Sequence, residues 1–280
     1  MAEETLLIVG NGFDLSMGFK TSYGDFLRSS VFPKYDSTLC SYLRKQFQEN
    51  MGWIDIENEL SEFSNVISSM KQDAKKKHAK WEYDNFRKEY DDLKSSLKKY
   101  LQEETKGQFI LKKDNPAVSV IDHLPAGSKI ISFNYTSIIE RMTRDRFGVS
   151  KGNLLHIHGS LAPYDDIVFG VEDSAKLSKE HVFLYKAHSQ SLKAREFSYW
   201  LNSAERIIFY GYSLGDTDRQ YFEKFFQKLC SENSSNVDLD FYYYGQSSYD
   251  NLIWQLQMLT NNKLTQLLTY NHIEFIDCSM

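Results

Sequence analysis

The stretch Leu6-Leu7-Ile8-Val9-Gly10-Asn11-Gly12-Phe13-Asp14, with Gly18 a little further on, decides how this sequence folds. Four apolar residues ended by a glycine read as a buried, parallel strand. A Gly-x-Gly pair after such a strand lets the backbone turn sharply and approach a phosphate, and the next helix offers free N–H groups and its positive dipole end. The same residues serve equally well as an ordinary strand-to-helix turn that needs glycine. Asp14 would repel a phosphate; it suits a ribose hydroxyl better, or caps the helix.

Working outward, Leu15 to Met17 and Tyr23 to Leu27 read as helical starts, with Thr21-Ser22 supplying a capping hydroxyl. From about Asp36 the pattern turns to Lys, Glu, Gln and Ser with apolar residues at helical spacing. Leu60, Phe63, Val66 and Ile67 form one stripe, and Trp81, Phe86, Tyr90, Leu93 and Leu97 a second. Strand-like runs follow at Lys129–Phe133, Leu154–Ile157, Ile167–Phe169, Arg206–Tyr210, Leu239–Tyr244 and Ile273–Ile276. Helix-length segments separate most of them: Ser137–Arg146, Ser191–Ser203, Asp216–Cys230 and Tyr249–Leu268. This alternation predicts an α/β protein, a Rossmann-like, mostly parallel sheet with helices on both faces and a helical insertion after the first strand unit. Residues 1–35 and 126–280 form the core on this reading, and 36–125 the insertion, which would serve as a lid, an oligomerisation surface or a sensor.

Composition narrows the function classes. The 280 residues are 41% hydrophobic and 15% aromatic, enough for a sizeable core. A net charge of -5 argues against nucleic acid, and Lys75–Lys77 reads as a solvated helix face. Cys40, Cys230 and Cys278 have no paired spacing, so neither disulfides nor a thiolate zinc site is expected. The acidic start Met1-Ala2-Glu3-Glu4 does not resemble a signal peptide, and no apolar run approaches the ~20 residues that span a bilayer. These features point to a cytoplasmic protein without a membrane partner.

Three further segments carry chemistry. Ile131-Ser132-Phe133-Asn134-Tyr135-Thr136 stands at the carboxyl end of a predicted strand, where ligands bind in open α/β sheets. Asn134 offers a donor and an acceptor there, or simply begins a loop in which Thr136 caps the next helix. In Leu154-Leu155-His156-Ile157-His158-Gly159-Ser160 the two histidines are two apart, and so on one face of a strand. No Asp, Glu or Cys stands at a spacing that would complete a metal site, so no metal is expected; a general base or a structural histidine near a turn fits as well. Tyr210-Gly211-Tyr212-Ser213-Leu214-Gly215-Asp216 repeats the layout of strand, glycine and hydroxyl residue. Four polar loops, each after a predicted parallel strand, would open onto one edge of the sheet.

Together these residues resemble the abortive-infection AbiH family of bacterial phage-defence proteins. The run Gly10–Leu15 through Gly18–Leu27, then Trp53 with Glu57 and Glu59, Phe133–Thr136, His156–Ser160 and Gly211–Ser213 stand in the family's order. More distantly the string is similar to the sirtuin-like superfamily, whose members bind NAD on a Rossmann-type sheet. That resemblance implies NAD as substrate or ligand and no other cofactor. It places Gly10, Asn11, Gly12, Phe13, Asp14 and Tyr135 around the dinucleotide, Asn134 at the nicotinamide ribose and His158 as base. Gly211 and Ser213 fall on the adenosine side. The chain departs from the superfamily pattern at Asp14, where that pattern has serine, and at Thr136, where it has aspartate; it also lacks the paired cysteines of the deacetylases. The implied activity is cleavage of the nicotinamide–ribose bond of NAD, against a non-catalytic nucleotide-sensing module. A nuclease or phosphohydrolase would need a Mg²⁺ cluster, for which only Asp14, Asp216 and Asp218 offer themselves. A phage-derived trigger, a partner defence protein or a second copy of the chain are the macromolecular partners that fit such a role.

Overall fold

A computed structural model describes residues 4–33, 37–73, 79–107, 114–147, 152–189, 193–232 and 236–279, with the side chains of 70–73, 79–84 and 145–147 outside that description. The chain compacts into two units. One comprises residues 1–19, 108–166 and 193–280, the other 20–107 and 167–192.

The first unit is built on a six-stranded sheet. Its strands are β1 (Thr5–Val9), β2 (Lys129–Ser132), β3 (Leu154–His156), β4 (Arg206–Tyr210), β5 (Asp238–Tyr243) and β6 (His272–Asp277), in the order β3-β2-β1-β4-β5-β6. Every pairing is parallel. β1 sits between β2 and β4, and all five of its residues are buried, which is why it reads as an unbroken apolar run. Successive side chains alternate faces. Leu6 and Ile8 join one core cluster with residues of α8 (Ala194–Ser203), α9 (Arg219–Leu229), α10 (Gly245–Leu259) and α11 (Leu264–Tyr270). Leu7 and Val9 join the other with α1 (Asn11–Ser16), α6 (Pro116–His123) and α7 (Ile138–Phe147). The expected Rossmann-like sheet with helices on both faces is present.

The second unit is helical: α2 (Tyr23–Arg28), α3 (Thr38–Glu49), α4 (Ile56–Asp73) and α5 (Ala79–Glu104), with a 3-10 segment Lys179–Leu184. Ser22 caps α2, accepting from Asp25 N at 3.1 Å. Leu60, Phe63, Phe86, Tyr90, Leu93 and Leu97 are buried as their spacing predicts; Val66 is exposed. The unit holds a buried ion cluster. Lys186 is 1% exposed, with Nζ 3.0 Å from Glu57 Oε2 and 3.5 Å from Glu172 Oε1. Glu59 accepts from the Tyr42 hydroxyl at 2.7 Å, while Trp53 stands exposed. Asp55 caps α4 through Glu57 N, and burial, with Glu57 close by, pushes its carboxyl up to about 6.

Several expectations need correction. Ile167–Phe169 is buried but joins no sheet; Phe169 stacks on Tyr90 and accepts its hydroxyl, because a short apolar run fills a helical core as readily as a strand. The expected helix Tyr249–Leu268 is two helices, broken where Asn261 and Asn262 take positive φ of 52° and 62°, a conformation asparagine tolerates. Unit boundaries fall after residues 19 and 107, where the sequence reading drew them at 35/36 and 125/126, and residues 167–192 return to the helical unit. Helix α6 belongs to the sheet because Ala117, Val118, Val120 and Ile121 pack on β1 and β2. Lys75–Lys77 lies outside the described residues.

Candidate functional site

The loops after β1, β2, β3 and β4 meet at the carboxyl edge of the sheet. At the centre three glycines touch. Gly12 N donates to Gly211 O at 2.9 Å and Gly10 N to Tyr210 O at 3.2 Å. A Cβ on Gly12 would lie 2.6 Å from Gly211 Cα, and one on Gly211 only 2.4 Å from Gly12 C and Phe13 N. Gly211 also sits at φ +60°. The Gly-x-Gly pair is therefore required by backbone packed on backbone between the β1 and β4 loops. Two of its N–H groups are taken by that contact, and α1 is only six residues long.

On the β2 and β3 side the polar residues are linked to one another. Asp14 is 1% exposed; its Oδ1 accepts from Asn134 Nδ2 at 2.9 Å and its Oδ2 from Thr136 Oγ1 at 2.6 Å. Asn134 Nδ2 also donates to Gly10 O at 2.9 Å. Burial pushes the Asp14 carboxyl up from 3.8 to about 7, against the hydrogen bonds from Thr136 and Asn134 and the nearby His156, which pull it down. Asp14 and Thr136, far apart in the sequence, thus face each other as a hydroxyl–carboxylate pair. His156 Nδ1 donates to Asn134 O at 3.0 Å, and its Nε2 lies 3.3 Å from Glu140 Oε1 on α7, whose carboxyl it holds below the ordinary range.

The two histidines diverge because β3 ends at His156 and a turn re-aims His158. His158 is buried, with Nε2 3.0 Å from Asp218 Oδ1 but not aligned on it as a hydrogen bond. It meets the ring of Phe133 edge-on. Phe133 stacks on Tyr212 with centroids 4.3 Å apart, and the Tyr212 hydroxyl donates to Asp218 Oδ2 at 3.0 Å. Among the described residues no group of three or more His, Cys, Asp or Glu could hold a metal; Asp14 and Asp218 are engaged separately and Asp216 is exposed.

Beside the glycines, on the β4–β5–β6 side, lies a cleft of about 700 Å³. It is lined by Gly12, Ser16, Asp114–Pro116, Tyr210–Ser213, Tyr242–Tyr244, Ser248, Asn251 and Cys278. After Ser213 the chain continues into Leu214 at φ +53°, an uncommon conformation for leucine, here held by burial of the side chain in the core. Of the residues singled out from sequence, Gly12, Gly211 and Ser213 line this cleft. Phe13 and Tyr135 are buried, Asn11 is exposed, and Gly10, Asp14 and Asn134 form the adjoining network. The sequence reading missed the tyrosines at the end of β5, although Tyr242-Tyr243-Tyr244-Gly245 repeats the strand-then-glycine layout seen after β1 and β4. It also missed Asp218 as the neighbour of His158.

The sheet order reverses between β1 and β4, and the cleft opens beside that point, which defines a Rossmann-like α/β protein with a ligand-sized opening at its topological switch. The family model for bacteriophage abortive infection AbiH proteins matches residues 6–242, and the chain belongs to that family. Membership implies a role in abortive infection by phage. A search of curated proteins finds no significant match. Among the described residues no helix is long and apolar enough to cross a membrane.

Proposed function

We propose that the chain binds NAD or a related nucleotide in the cleft beside the three glycines and cleaves the nicotinamide–ribose bond as its abortive-infection activity. The observation that carries this reading is the cleft itself. It lies at the switch point of a parallel sheet, is large enough for a nucleotide, and is walled by tyrosine rings that suit a flat base. Ser213, Ser248 and Asn251 add groups that pair with ribose or base edges.

For cleavage, water adds to the anomeric carbon as the carbon–nitrogen bond breaks. Nicotinamide leaves neutral, since it begins as a pyridinium, and the transition state has oxocarbenium character. Asn134 orients the ribose hydroxyls or the water, and His158 takes the proton released. His158 stands behind Asp218 and Tyr212, and Tyr212 lines the cleft, so Tyr212 has to leave Phe133 to admit the ribose. That burial favours a second reading, a nucleotide-sensing module that alters partner affinity without chemistry. Incubating the purified protein with NAD and following nicotinamide release, beside His158→Ala, separates the two. Release by the wild type and none by the variant supports cleavage. NAD binding with no release supports sensing, and no binding rejects both.

A further inference from the structure

We infer that the cleft accepts an uncharged nucleoside group and excludes phosphate, and that Asp114 is a residue that sets this specificity. This rests on the proposed function in taking the cleft as the ligand site, and it names the part of the nucleotide that enters. A phosphate is held by basic side chains, or by the unspent N–H groups and positive dipole end of a helix. The cleft supplies neither. Among the described residues that line it there is no lysine, arginine or histidine, and its one charged residue is Asp114.

Three helices begin at this edge of the sheet, and each start is met by the protein itself. At α1, Gly12 N donates to Gly211 O at 2.9 Å. At α6, Asn115 Oδ1 accepts from Ala117 N at 2.9 Å while its Nδ2 donates to Ser16 O at 2.6 Å, and Asp114 stands directly before this cap. At α10, Asp277 Oδ1 accepts from Gly245 N at 3.0 Å. The Gly245 and Ser279 N–H groups hold the Asp277 carboxyl below the ordinary carboxylate range, so it is ionised at neutral pH. A further carboxylate, Asp218, lies one side chain behind the lining, where it accepts from the Tyr212 hydroxyl at 3.0 Å. Aspartates thus stand where a phosphate would bind, and a dianion in the cleft would meet Asp114 with no opposing charge. What remains of the lining is tyrosine rings with Ser16, Ser213, Ser248 and Asn251, which suit a flat base and ribose hydroxyls. The phosphates of a bound nucleotide therefore point out of the cleft and add nothing to affinity there.

The test is binding of adenosine, adenosine 2′-monophosphate and adenosine 5′-monophosphate to the full chain, followed by calorimetry. Adenosine should bind, and neither monophosphate should bind more tightly than it does. Asp114 is exposed, so replacing it leaves the core undisturbed. Relative to adenosine, the weaker monophosphate should gain about threefold in Asp114→Asn and about tenfold in Asp114→Lys. A monophosphate that binds more tightly than adenosine to the wild type overturns the inference, and so does the absence of adenosine binding. A ratio unchanged in both variants removes Asp114 from the role. NAD is titrated beside the three probes. If adenosine follows these rules and NAD does not bind, the proposed function fails and the inference stands. If NAD is bound and cleaved while a monophosphate outbinds adenosine, the inference alone fails.

Discussion

The two halves of the sheet's carboxyl edge are built on opposite plans. On the β1–β2–β3 half, Asp14, Asn134, Thr136 and His156 are all buried and tied to one another across three loops. On the β4–β5–β6 half, β4 and β5 end in tyrosines, which with small polar residues line a cleft. The glycine contact lies between the halves. A buried polar network is rigid but admits little; an aromatic cleft admits a ligand but orients it only loosely. Under the proposed function, binding and positioning are divided between the halves, with affinity assigned to the tyrosines and orientation to Asn134.

The sharpest way to break this arrangement is at the boundary. Gly211→Ala forces a Cβ into the backbone of Gly12 and Phe13 at a positive φ, and should destabilise the fold by about 3 kcal/mol or more in urea titration. A variant within 1 kcal/mol of wild type would show that the two loops are not rigidly joined. Next comes the closed half. Thr136→Val removes a hydrogen bond to a buried carboxyl and should cost about 1–3 kcal/mol of stability. The open half should answer differently. Tyr244→Ala, at an exposed position on the cleft wall, should change stability by no more than about 0.5 kcal/mol yet weaken NAD binding about tenfold, as loss of a stacking ring does. Unchanged NAD affinity would move the base away from β5.

The smallest effect is a pH slope. The folded Asp14 carboxyl titrates near 7 against an ordinary value of 3.8, so the folded state holds its proton more tightly than the unfolded chain. Its contribution to stability is fully present below 3.8 and is lost as the pH rises through 7. Asp14→Asn should therefore flatten the fall in melting temperature between pH 4 and 7, while the like-signed contribution of Asp55 remains. An identical slope in both proteins would show that Asp14 is ionised throughout.

Much of the fold was legible because parallel strands announce themselves. The runs at β1, β2, β4, β5 and β6 are short, apolar and closely followed by turn residues, and their alternation with helices implies the sheet. Ile167–Phe169 carried the same local signal and misled, since burial in a helical core and burial in a sheet select the same side chains. The loops of the site were visible as glycines and polar residues at strand ends, but their partners were not. Nothing in the spacing of Gly10, Gly12 and Gly211 says that they pack on each other, because that contact joins residues about two hundred positions apart. Periodicity placed His156 and His158 on one face, and the end of β3 separated them. Asp14 and Thr136 were not legible as a pair either, until the fold brought them together.

Lys186 gives the helical unit an order of assembly. Glu57 is synthesised early, with most of the helices that surround it, but the ammonium group that matches its buried charge arrives only with the second stretch of the unit, after β1, β2 and β3 have been made. Until then the carboxylate has to stay in water, because burying it unmatched costs several kcal/mol. A nascent chain ending before residue 186 therefore lacks the ammonium group that lies between Glu57 and Glu172 in the folded unit.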